Sequence, residues 1–237
     1  MTDKKSLSDC KLFVDFPLRG EWSVVNTLGD KIPSHGTDSL GQRYAYDFMI
    51  TEQGSKLKFY KSSSIKYRTI GVALADCYCY RKPIYSPVSG KVVTVKDGVK
   101  EPKRLQPVLD ILKVILRMVK IAVIGLFVSA EKIELHKFIG NYIIIRFDDH
   151  YAFFAHLVPG SIRVKEGDQL KVGELIAEVG HSGNSTAPHL HFHIMDTEDL
   201  LKAKGVFCGF KKYRIIKDDV EEDVVNGIPK SDQIIKY

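Results

Sequence analysis

An all-β fold, interrupted by one inserted amphipathic helix, is predicted by three features of this 237-residue sequence. Runs of β-branched and aromatic residues such as GKVVTV, NYIIIRF and YAFFAH stand between Gly, Asp and Pro turn signals. Two segments, PVSGKVVTVKDG (87–98) and VKEGDQLKVGELIAEVG (164–180), each show the small-residue turn and alternating strand of a barrel-sandwich half. A single stretch replaces this strand pattern with a helical period.

Residues 1–32 are expected to pack on the core as an N-terminal segment. They open on MTDKKSLSDCKLFVDF, which lacks the apolar run of about 7–15 residues and the small-residue cleavage site of a secretory signal. Residues 33–237 are expected to form one β domain with the helical insertion at about 101–135. PSHGTDSLGQRYAYDF supplies His35, Asp38 and Asp47. In its alternating part, Asp47 points with Ala45 and away from the aromatic rings, and a carboxylate so flanked calls for a cation or a hydrogen-bond donor.

From Leu105 to Leu126 the residues Leu105, Leu109, Leu112, Leu116, Val119, Val123 and Leu126 recur at steps of four and three, with Lys113, Arg117 and Lys120 on the other side. The longest uncharged run, IAVIGLFVSA, is about half of the roughly 20 residues needed to span a bilayer. The helix is therefore expected to pack on the domain, to self-associate, or to lie at a membrane surface with its cations at anionic head groups. Beyond it come the NYIIIRF strand and the YAFFAHL strand that ends at His156. The acidic tail DDVEEDVVNGIPKSDQ reads as a surface excursion closing on a final strand.

With 44% hydrophobic and 27% charged residues, the composition excludes disorder and low complexity. Thirty-five Lys and Arg against 29 Asp and Glu give a formal charge of +6, which draws the chain toward polyanions without naming one. A nucleic-acid partner is not expected, since no RNP, zinc-finger or helix-turn-helix pattern occurs. The four cysteines are too few for a disulfide framework, and Cys77 and Cys79 do not make a CxxC pair, so buried free thiols are expected.

The chemistry concentrates at His189, Leu190, His191, Phe192 and His193. In a strand the three imidazoles share one face while Leu190 and Phe192 enter the core. Buried imidazoles need partners for their ring nitrogens, and a metal ion supplies one. A catalytic zinc site takes three protein ligands and leaves one position open, so part of the ligand set must come from other segments. No HExxH motif is present.

His35, an Asp followed by Phe at Asp47, the PVSGKVV and YAFFAHL strands, and GHSGNSTAPHLHFHI together resemble the lysostaphin-type (LytM-like) zinc endopeptidases. The similarity runs from about Pro33 to His193, continues loosely through 195–237, and is most specific from Gly180 to His193. It implies a duplicated hybrid motif fold and one Zn2+ held by His35, Asp47 and His191. It further implies that His156 and His189 act as catalytic imidazoles, with zinc-bound water as nucleophile. The implied activity is hydrolysis of peptidoglycan stem peptides or cross-bridges, at the cell envelope or outside the cell. The alternative on the same fold is a non-catalytic module that binds wall peptides or activates a hydrolase. Three departures stand out. His35 and Asp47 lie further apart than the family's His and Asp, with Asp38 as the nearer, fallback ligand. His193 replaces an acidic or polar residue and is expected beside the site rather than as a fourth ligand, and the helix is inserted where a short connection is usual. His136, His150 and His181, each isolated in a polar or turn segment, are expected to be solvated.

Overall fold

A computed structural model describes residues 9–52, 55, 58–108, 110–112, 115–116, 118–119, 135–218, 220–231 and 233–237. The first strands in chain order are β1 (Leu12–Val14), β2 (Glu21–Asn26), β3 (Tyr46–Met49), β4 (Val72–Ala73), β5 (Pro83–Tyr85), β6 (Gly90–Lys96) and β7 (Arg104–Leu105). They are followed by β8 (Asn141–Phe147), β9 (His150–Leu157), β10 (Gln169–Leu170), β11 (Leu175–Glu178) and β12 (Leu190–Met195). The chain closes with β13 (Gly205–Val206), β14 (Cys208–Lys217), β15 (Val220–Gly227) and β16 (Ile234–Lys236). Two short helices, α1 (Ser64–Thr69) and α2 (Leu135–Ile139), lie between strands.

Twelve strands make one sheet along the path β1-β14-β16-β2-β3-β12-β9-β8-β6-β10, with β13 beside β12 and β15 beside β14. The fold is all-β. The two segments with matching turn-and-strand patterns meet: β10 pairs antiparallel with β6, Gln169 opposite Lys91, and β11 pairs with β5. Residues 12–26 supply two strands of the sheet, β1 against β14 and β2 between β16 and β3.

Strand alternation sorts the two faces of the central strands. Phe48, Phe154, Leu190, Phe192 and Ile194 go to the large core, where Phe154 and Phe192 have ring centroids 5.2 Å apart. Phe16 meets both Phe48 and Phe210 edge-on at 5.0 Å in the same core. Burying one such ring contributes about 1.5–3 kcal/mol. The run NYIIIRF is apolar without alternation because both faces are covered: Ile143 and Ile145 enter the large core, Tyr142 and Ile144 a second cluster with Phe153 and Leu200. Paired side chains share a face, so the pairings of His191 with Asp47 and Ala155, and of His193 with Phe153, place the polar cluster on that second side.

The inserted helix begins later than the sequence suggests. Leu105 is fully buried in a strand and pairs with Val72. Pro107 explains the shift, since a proline disfavours helical conformation in the residue before it but suits the first helical turn. Residues 107–108, 110–112, 115–116 and 118–119 are helical; 109, 113–114, 117 and 120–126 of the expected helix lie outside the described residues. Asp110 is buried and accepts the Gln106 backbone N–H at 2.6 Å, satisfying one of the amides a helix start leaves without a partner.

All four cysteines are free and buried. Burial pushes the thiols of Cys77 and Cys79 up to about 12. Native protein mixed with DTNB at pH 8 is therefore expected to react slowly, and denatured protein at once. A rapid burst from the native state would contradict this burial.

Candidate metal centre

Two loops and three strands converge on a cavity of about 310 Å³ bounded by His35, Asp47, His156, His189, His191 and His193. Asp47, 6% exposed, stands on β3 opposite His191 of β12. His35 arrives from the loop after β2, which is tied back by the Ser34 N–H to the Arg43 carbonyl at 3.0 Å. His35 Nε2 donates to Asp47 Oδ2 at 2.8 Å, and His191 Nδ1 donates to Asp47 Oδ1 at 2.9 Å. Ligand atoms of His35, Asp47 and His191 all lie within 4.8 Å of one another. Asp38 is elsewhere: its side chain is 61% exposed and paired with Arg43 at 2.7 Å.

The Asp47 carboxylate is held charged against its surroundings. Burial alone would raise its pKa, but the field of His189 and the hydrogen bonds from His191 and His35 outweigh it and hold the group well below the usual carboxylate range. Asn26 adds a further donor, Nδ2 to Asp47 Oδ2 at 2.7 Å. A register shift in β2 between Val24 and Asn26 turns Asn26 to face Asp47, a contact that spacing along the chain does not announce.

His156 reaches the cavity through a second irregularity. Strict alternation from Ala155, which faces the site, would send His156 into the core. Three steps of β9 instead oppose two of β8 between Leu157 and Phe154, and His156 adopts φ 63°. A non-glycine residue in that region is strained and persists only where its surroundings fix it. The ring is fixed by its Nδ1–H, which donates to the Ser182 carbonyl at 2.9 Å. That carbonyl is itself placed by close packing: a Cβ on Gly140, at φ 85°, would come within 2.5 Å of it. His189 is anchored in the same way, Nδ1–H to the Ala187 carbonyl at 2.7 Å, with its Nε2 3.6 Å from Asp47 Oδ1. Both rings therefore keep Nε2 as the nitrogen free for other partners, and their centroids are 4.8 Å apart. Burial, followed by the nearby His189 and His191, holds the His156 pKa well below 6.5, so the ring rests neutral.

His193 lies behind His191, its Nδ1 3.2 Å from His191 Nε2 and its ring stacked on Phe153 at 4.7 Å. Burial, then the neighbouring His191 and His35, keep its pKa well below 6.5. With His191 Nδ1–H given to Asp47, His191 Nε2 accepts from His193 Nδ1–H. This leaves His193 Nε2 a buried lone pair without a hydrogen bond, beside the Leu40–Gly41 backbone. A cation on His191 Nδ1 would move that proton to Nε2, reverse the His191–His193 hydrogen bond, and turn His193 Nε2 into a donor facing the Leu40 backbone. A metal on His35, Asp47 and His191 would thus account for the orphaned nitrogen, and the donor set of two imidazoles and one carboxylate suits zinc.

His181, expected in solvent, is buried, because the 180–188 loop folds over the cavity. Its backbone N–H donates to Glu101 at 2.8 Å, and its ring meets Ser185 Oγ at 3.0 Å. Ser185 lies 3.2 Å from His189 Nδ1, linking the two histidines. His136 and His150 are half-buried rather than solvated. Among the site neighbours, Asn26, Ser182 and Ser185 were not singled out by the sequence pattern, since each acts through a local turn or cross-strand pairing.

A carboxylate-centred histidine cluster on an antiparallel sheet defines the class: a β-sheet protein with a candidate metal centre. Residues 118–203 match Peptidase family M23, and the resemblance to the lysostaphin-type peptidases holds. Peptidoglycan DD-endopeptidase ShyB of Vibrio cholerae is 38% identical over 64 residues, 27% of this chain and 15% of the relative. Peptidoglycan DD-endopeptidase ShyC of the same organism is 33% identical over 101 residues, 40% of this chain and 23% of the relative. Glycyl-glycine endopeptidase ALE-1 of Staphylococcus capitis is 46% identical over 46 residues, 19% of this chain and 12% of the relative. The matched stretches span less than a quarter of the length of each of these relatives.

The buried neutral imidazoles set a pH dependence. His156 and His193 protonate in the unfolded chain near pH 6.5 but resist protonation when folded, so below that pH the unfolded state binds more protons and folding weakens. Metal-free protein is expected to show a lower urea midpoint at pH 5.5 than at 7.5, with a smaller difference in His156→Gln. Equal midpoints in the parent protein would refute this.

Proposed function

We propose that this chain is a zinc-dependent endopeptidase acting on peptidoglycan peptides. The observation that carries the reading is the convergence of His35, Asp47 and His191 within 4.8 Å of one another, beside two imidazoles whose Nδ1–H groups are already committed to carbonyls. His35, Asp47 and His191 would hold the ion. Zinc bound there supplies a Lewis acid that activates water and polarises the scissile carbonyl.

The remaining steps belong to the protein. His189 has Nδ1 engaged with Ala187 and Nε2 beside Asp47, so it is placed to take a proton at Nε2 from the attacking water and to return it to the leaving amine. His156, neutral at rest and tied by Nδ1–H to Ser182, also offers an unprotonated Nε2. It can stabilise a developing oxyanion only after gaining a proton there, which makes it an acceptor first and a donor second. Asn26 orients the Asp47 carboxylate, and His193 orients His191. Leu40, Phe138 and Phe153 give the cavity an apolar wall. The relatives' names point to two kinds of bond, that of a peptidoglycan DD-endopeptidase and a glycyl-glycine bond.

Digestion of purified peptidoglycan, followed by mass spectrometry of the products with and without chelator, tests the reading and identifies the bond. New amino termini that vanish with chelator and return with zinc are expected. Intact wall under all conditions would favour a non-catalytic binding module. His189→Ala is expected to keep its metal and lose activity by about 10²-fold or more, whereas His191→Ala loses both. Equal metal loss in the two variants would overturn this division of roles.

A further inference from the structure

An ordinary surface helix turns its apolar stripe to the core and its polar side to water. The helical residues after Pro107 do the reverse. Val108, Ile111, Leu112, Ile115, Leu116 and Val119 follow the i, i+3, i+4, i+7, i+8, i+11 spacing of one face, and all are exposed, from 50% at Leu112 to 73% at Val108. Among the described residues of this segment, the buried one is the charged Asp110. Helix α1 stands alongside, because β4 and β7 pair Val72 with Leu105, and Arg104 donates to the carbonyls of Ile70 and Gly71. It adds exposed Ile65, and exposed Ile70 follows at its C-terminal cap. More than half of the exposed large apolar side chains among the described residues fall on these two neighbouring segments. A patch of this kind on a protein surface marks an interaction site.

Charge selects the occupant. Lys61, Lys66, Arg68, Lys103 and Arg104 border the patch, and among the described residues of 61–71 and 102–119 the one carboxylate is that of buried Asp110. The sequence continues the bias with Lys113, Arg117 and Lys120. A two-fold dimer through this face would set the same cations against their own copies. An anionic lipid surface would neutralise them while accepting the apolar side chains. No helix among the described residues is long and apolar enough to cross a membrane. We infer that the exposed apolar side chains from Val108 to Val119 that the structure describes, together with α1, form a docking surface for the head-group region of an anionic bilayer. Met118 belongs to the exposed segment and also lines the metal-centre cavity, so the docked face borders the cavity mouth.

The test is co-sedimentation of the full chain with vesicles of mixed phosphatidylglycerol and phosphatidylcholine, against vesicles of phosphatidylcholine alone. Binding to the anionic vesicles is expected to be at least about tenfold stronger and to weaken in high salt. It should fall about tenfold or more in Leu112→Ser/Ile115→Ser/Leu116→Ser, and likewise in Lys66→Glu/Lys103→Glu, which leaves the apolar residues in place. The charge-reversal pair carries the test if the triple variant does not fold. Absence of binding to anionic vesicles at low salt overturns the inference. So does a dimer in analytical ultracentrifugation that the triple substitution abolishes, since a second copy would then occupy the face. Vesicle binding requires neither His35 nor Asp47, so its outcome is separate from that of the peptidoglycan digestion.

Discussion

A carboxylate sealed inside a β-sheet needs compensation, and Asp47 is the charge around which this molecule is arranged. Its two oxygens receive His35, His191 and Asn26 at 2.7–2.9 Å, with His189 at 3.6 Å. These partners come from three segments besides β3, so the carboxylate cannot be satisfied until β2, the loop between β2 and β3, and the 189–191 run that enters β12 are all in place. Uncompensated burial of such a group costs far more than a surface ion pair gains. The same arrangement that satisfies the carboxylate gathers two nitrogens and an oxygen around a position suited to a cation.

The sheet provides this by dividing labour between its faces. Phe48, Leu190 and Phe192 anchor β3 and β12 from the core side, which fixes the register that puts Asp47 opposite His191. A slip of one residue would send the imidazoles into the aromatic core. Two departures from regular pairing then refine the site. One turns Asn26 toward Asp47, and the other swings His156 out of the core. Both cost local regularity, and both are stabilised by hydrogen bonds on the site side. The Leu40–Gly41 pair, at φ 59° and 73°, closes the 39–44 segment over His193 in the same spirit: a Cβ on Gly41 would come within 3.1 Å of Met195.

Viewed from the cavity, the inserted segment is a neighbour rather than a remote appendage. The wall formed by Phe138, Ile139 and Phe153 continues to Met118, and Leu116 and Val119 close to it in the chain are exposed. The histidine cluster, the apolar cavity wall and the exposed apolar surface therefore follow one another over a short path, each on a different structural element.

Much of this was legible in one dimension. Period-two alternation and turn residues predict the strands, because a half-buried pleated surface imposes that period whatever the topology. The HLHFH run likewise fixes which side chains share a face. The resemblance to the lysostaphin-type peptidases drew His35 and Asp47 into one set with His191. Tertiary structure decided the rest. Asp38 pairs with Arg43 while Asp47 meets the histidines, His181 is buried under a folded loop, and Leu105 is a strand residue. His156 faces the cavity only because β9 carries an extra residue there. Alternation along a strand is a local steric rule, whereas bulges, loop returns and cross-strand partners depend on contacts between residues far apart in the chain. Local pattern cannot encode such contacts until the sheet has closed around them.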